Sequence, residues 1–113
     1  MTLRHHADIT HYAILCATRD VAYFVERTLE DAASRETTIA DIMAGQVTGV
    51  EKVLAFNCAE HIADDVTEEI AIEIANRCGA EPISPVLHAF IEVHAGPAFA
   101  RGLAIAERSF AAA

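Results

Sequence analysis

The chain has 113 residues, 53% hydrophobic and 22% charged, which suits one folded domain with its own core and excludes a disordered polymer. One Lys and seven Arg stand against 17 carboxylates, a formal net charge of -9, so nucleic acid and anionic membrane surfaces are excluded as partners on electrostatic grounds. Cys16, Cys58 and Cys78 lie far apart on apolar helix edges, which suits reduced thiols, and no stretch reaches the length of a membrane span, so the expected compartment is the cytoplasm.

Read in chain order, the apolar spacing predicts an all-α fold: a compact bundle of about five helices in a single domain over residues 1–113. The first helix is expected over residues 8–33, with Asp8 as N-cap and Ile14, Ala17, Val21, Phe24, Thr28 and Ala32 on one stripe. Within it, Tyr12 to Ala17 is an apolar run too short for a signal-peptide core. Ser34 to Thr38 reads as a polar connector, and Thr38 with Asp41 as the capped start of a second helix carrying Ile39, Ile42, Met43, Val47, Val50, Val53 and Leu54. Gly45 and Gly49, four apart, would form a groove on it for another helix. A strand from Glu51 to Phe56 is the rival reading, set aside because a lone strand has nowhere to pair.

Asn57 and Glu60 form the next cap-and-return pair, opening a third helix that runs to Cys78 and closes at Gly79. Its greasy edge is Ile62, Val66, Ile70, Ile74 and Cys78; its acidic back is Glu60, Asp64, Asp65, Glu68, Glu69 and Glu73. Ser84-Pro85 signals a fourth helix over residues 85–95, a hydroxyl cap followed by a ring that lacks the superfluous amide. Gly96-Pro97 ends it and opens the last helix, where Phe99, Leu103, Ala106 and Phe110 make a seam for docking on the bundle or on a second copy.

Three constellations bear on chemistry. His61 with Asp65, and His88 with Glu92, each place an imidazole and a carboxylate one helical turn apart, and two such helices face to face would surround Zn, Mn or Fe. Glu26 and Glu30 would add oxygen ligands as in ferritin-like bundles, but the Glu-x-x-His motif of those bundles is absent. His5, His6, Asp8 and His11 make a histidine-rich start suited to adventitious metal or to protonation between pH 5 and 7. The segment from Thr38 through Gly45 to Leu54 looks like a helix-turn-helix, yet it is a residue short after Gly45 and its reading helix offers only Lys52 as a cation.

No nucleophile elbow or glycine-rich phosphate loop is present in the sequence. The expected function is therefore a small acidic helical oligomeric binding or scaffold module without a catalytic centre, more in keeping with a non-enzyme. A homodimer is expected, with Phe99, Leu103, Ala106, Phe110, Gly45 and Gly49 at its interface, no resident cofactor, and a basic protein as the partner for the acidic face. A metal-carboxylate bundle using His61, Asp65, His88 and Glu92 is the first alternative, a transcription regulator the second.

Overall fold

The computed structural model describes residues 8–106. The fold is mixed α/β, not the all-α helical bundle that the spacing predicts: a four-stranded antiparallel sheet in the order β2-β1-β3-β4, accompanied by helices. The chain divides into two compact units, Met1–Thr67 and Glu68–Ala113.

In the first unit, β1 (His11–Ala17) and β2 (Ala22–Phe24) replace most of the expected first helix. The polar residues Thr18 to Asp20 make the reversal between them. Thr18 Oγ1 accepts from the amides of Asp20 (3.3 Å) and Val21 (3.2 Å), and the Thr18 amide donates to Val21 O at 2.7 Å, a hydroxyl-stabilised turn. Only α1 (Leu29–Ala32) remains helical, capped by the Thr28 side chain.

The second expected helix is real but shorter. α2 (Arg35–Met43) is capped by Ser34, not Thr38, and ends in a Schellman motif: the Gln46 amide donates to Asp41 O and the Gly45 amide to Ile42 O, with Gly45 at φ 77°. Beyond it the chain is β3 (Val50–Asn57), a strand where the apolar spacing predicts more helix. Its partner is β1, paired Ile14 with Val53 and Ala13 with Leu54, so the two apolar runs that look like pieces of separate helices satisfy each other. Gly45 and Gly49 therefore form no helical groove. Gly49 sits at φ 72° where the chain enters β3, and a Cβ there would stand 2.8 Å from Ala17 O.

Asn57 Oδ1 does accept from the Glu60 amide at 3.0 Å, as a helix cap would. Here the bond closes the turn into β4 (Ile62–Asp65), with His61 at φ 57°. The acidic stretch is thus divided between a turn, an edge strand and a helix. The core of the first unit is Ile14, Cys16 and Val53 from one face of the sheet, with Thr38, Ile39 and Ile42 from α2.

α3 (Thr67–Cys78) crosses the division between units and is helical where its spacing is cleanest: Ile70, Ala71, Ile74, Ala75 and Cys78 form its buried stripe, and Gly79 follows at φ 61°. Its start is fixed in the first unit, where Thr67 Oγ1 accepts from the Val53 amide at 2.8 Å and the Thr67 amide donates to Asp65 Oδ1 at 3.0 Å. In the second unit, α4 (Pro85–His94) begins as expected, with Ser84 Oγ accepting from the Leu87 amide at 3.1 Å. α5 (Pro97–Arg101) is only five residues long. The chain then returns to bridge Ile105 beside Ile83. Among the described residues, no helix is long and apolar enough to cross a membrane.

Candidate functional site

The residues singled out from the sequence fall in different settings. His61 lies exposed in the β3–β4 turn and Asp65 ends β4. In a strand, four residues span about 13 Å rather than one helical turn, so the spacing that would converge two ligands on a helix separates them here. Asp65 is engaged elsewhere. Lys52 Nζ lies 2.8 Å from its Oδ2, and the Thr67 hydroxyl and amide donate to its Oδ1, which together hold the Asp65 carboxyl well below the usual carboxylate range. His88 and Glu92 do stand one turn apart on α4, where His88 Nε2 donates to Ala100 O at 3.0 Å. Glu26 and Glu30 are exposed around the start of α1. Among the described residues, no group of three or more His, Cys, Asp and Glu side chains is placed to hold a metal ion.

Of the expected seam, α5 carries only Phe99; Leu103 and Ala106 follow its end, and Phe110 lies outside the described residues, as do His5 and His6. Cys16 and Cys78 are buried, and burial pushes both thiols up; Cys58, in the β3–β4 turn, is exposed.

Two features that no motif announces stand out in the first unit. One is the free edge of the sheet. Ile14 O accepts from the Val25 amide and Val21 O from the Thr18 amide, so residues 21, 23 and 25 turn their backbone groups toward β1. By the alternation of an antiparallel ladder, Ala22 and Phe24 turn theirs outward. Val21, Tyr23, Phe24 and the following Leu29 are between 47% and 66% exposed. The opposite edge, β4, carries Asp64 and Asp65.

The other feature is a polar cleft of about 370 Å³ at the end of the sheet where β1 begins and β3 ends. Asp8, Thr10 and Tyr12 line it from the β1 side, Asn57 and Glu60 from the β3 side, and Arg35 from the first turn of α2. Antiparallel pairing of His11 with Phe56 is what brings these distant segments together. His11 also stacks on Phe56, ring centroids 5.8 Å apart, beside this end of the ladder.

No family model, curated protein or solved structure matches this chain, so the two sheet edges carry the functional argument unaided.

Proposed function

We propose that the chain is a small acidic binding or scaffold module that works as a homodimer in the cytoplasm, two copies joining through β2. The observation that carries this reading is the contrast between the two sheet edges. Exposed edges invite pairing with another chain, and charged side chains are a common guard against it. β4 bears two adjacent carboxylates, so two copies of a chain of net charge -9 would repel there. β2 is Ala-Tyr-Phe, without charge, and offers the outward amide and carbonyl groups of Ala22 and Phe24.

A two-fold axis beside Tyr23 would pair Ala22 of one copy with Phe24 of the other, forming four backbone hydrogen bonds and bringing the two Tyr23 side chains close in a non-hydrogen-bonded pair. The carboxylates of Asp64, Asp65, Glu68 and Glu69 then remain exposed to water, where a basic protein is the partner they suit. The three unpaired thiols, one of them exposed, fit a reducing compartment.

Light scattering coupled to gel filtration tests the dimer. Ala22→Pro removes an outward amide and no bond to β1, and Phe24→Lys places a charge on the edge. The wild-type chain is expected at twice the monomer mass and both variants at the monomer mass, with unchanged circular dichroism. A monomeric wild type at tens of micromolar (about the range where weak symmetric dimers still associate) would refute the reading, as would variants that stay dimeric.

A further inference from the structure

We propose that the β4 edge docks an extended, basic segment of a partner protein, which adds to the four-stranded sheet as a further strand beside Ile62–Asp65. This docking mode rests on the reading of the chain as a binding module, and it is independent of the dimer, which uses the opposite edge.

The backbone supplies the first argument. β3 and β4 pair Leu54 with Asp65 and Phe56 with Ala63, and the Val66 amide donates to Val53 O at 2.9 Å. Residues 62, 64 and 66 therefore turn their backbone groups toward β3, and Ala63 and Asp65 turn theirs outward. All four β4 residues are exposed, and among the described residues no strand lies beyond them.

The side chains say what fits there. An incoming antiparallel strand would exchange hydrogen bonds with Ala63 and Asp65, which leaves Ile62 and Asp64 in non-hydrogen-bonded pairs, where facing side chains come closest. Asp64 is exposed and has no side-chain partner among the described residues, whereas Asp65 is held by Lys52 and Thr67. Asp64 thus asks for a lysine or arginine opposite it. Ile62, 44% exposed on the same side of the sheet, asks for an aliphatic residue. Glu60, exposed in the turn that leads into β4, and the net charge of -9 attract the same sign of partner.

A second copy does not supply that strand. β1, β2 and β4 contain no Lys or Arg, and Lys52 of β3 sits on an inner strand and is already paired with Asp65. The carboxylates that keep like chains off this edge therefore admit a chain of the opposite charge.

The probe is an end-blocked, fluorescently labelled peptide, Lys-Thr-Val-Thr repeated once, titrated against the full chain at low ionic strength. It sets lysine and valine on one side, to meet Asp64 and Ile62, and turns its threonine amides toward Ala63 and Asp65. Saturable anisotropy is expected, with amide NMR shifts of the 15N-labelled chain confined to residues 52–57 and 60–67. The same peptide with Glu for Lys, and the Lys peptide N-methylated at its threonines, are expected not to bind. Asp64→Asn should weaken binding about threefold, and Asp64→Lys about tenfold or more while admitting the Glu peptide. Ala63→Pro removes an outward amide and no bond to β3, so it should abolish binding; the N-methylated peptide makes the same test should that variant unfold. The Ala22→Pro chain is expected to bind as the wild type does, which separates this edge from the fate of the dimer. No saturable binding, equal binding of the N-methylated peptide, or unchanged affinity in Asp64→Lys would overturn the proposal.

Discussion

Arg27→Met should unfold this protein more readily than any other single change at a charged residue of the first unit. The Arg27 side chain is 6% exposed, and its guanidinium donates to Tyr12 O at 3.0 Å, Asp31 O at 3.1 Å and Thr38 Oγ1 at 2.8 Å. Tyr12 lies two residues before Ile14, the last β1 residue whose carbonyl β2 satisfies, so Arg27 takes over the ladder with its side chain where the strand stops. Methionine keeps the stem's packing and leaves those acceptors without a donor. Asp31 is exposed and water replaces its bond; Thr38 still donates to Ser34 O at 2.9 Å. The lost bonds to Tyr12 O and Thr38 Oγ1, both part-buried, then account for about 1–1.5 kcal/mol each, and the orphaned Arg27 Nε, already buried without a partner, offsets a little of that when it is removed.

A net loss of about 2–3 kcal/mol follows, a large part of a typical domain's stability and about 10 °C in Tm for a chain of this length. Arg27→Lys, which reaches fewer acceptors, should lose about half as much. Asp41→Asn should lose under about 1 kcal/mol, because that ion pair is 3.5 Å long and the Asp41 side chain is still 32% exposed. Urea unfolding followed by circular dichroism reads all three. An Arg27→Met midpoint within about 0.5 kcal/mol of wild type, at equal slope, would refute the account.

Three further outcomes are expected. Because Lys52 and Thr67 depress the Asp65 carboxyl below its unfolded value near 4, its contribution is present above that pH and fades as pH falls through the lower folded value; Tm should drop more steeply below about pH 4 in wild type than in Asp65→Asn, and parallel curves would count against it. Gly45→Ala and Gly49→Ala both place a side chain at positive φ, at about 1 kcal/mol, but only Gly49→Ala drives a Cβ against Ala17 O, so it should lose at least about twice as much in thermal or urea melts. In the native protein, Cys58 should react with a thiol reagent at the rate of a free thiol while Cys16 and Cys78 wait for opening; three equally fast thiols would contradict the burial of the latter two.

How much of this was legible depends on how local each signal is. Ser84-Pro85, the Ile70-Ile74-Cys78 stripe and Gly79 are short-range devices, and α4 and most of α3 appear where they predict. The strands are not local. Tyr12 to Ala17 and Glu51 to Phe56 each lack a partner when read alone, and the partner of each is the other. Apolar residues on both faces of β1 also satisfy a helical period as readily as an alternating one, so Ile14, Ala17, Val21 and Phe24 look like one stripe although two strands and a turn separate them. Asn57 shows the same limit at a single bond: its contact to the Glu60 amide forms as read, and only the strand beyond decides that it closes a hairpin.

The candidate surfaces follow from that non-local pairing, which is why no motif pointed to them. Asp8, Arg35 and Asn57 share a cleft because His11 pairs with Phe56, and their separation in sequence carries no trace of it. The acidic run from Glu60 to Glu73 was legible as charge, but its meaning changes with its placement. On one continuous helix it would be a hydrated outer face. With Asp64 and Asp65 on an edge strand it becomes a guard against pairing, and the absence of any such guard on Ala22 to Phe24 is what makes that edge the informative one. Transplanting the guard is therefore the sharpest check on the argument. Ala22→Asp with Phe24→Asp should abolish association while leaving the β1–β2 backbone bonds intact, and Asp64→Ala with Asp65→Asn should create a second, salt-insensitive mode of self-association through β4; a doubly acidic β2 that still dimerises would show that the edges do not decide it.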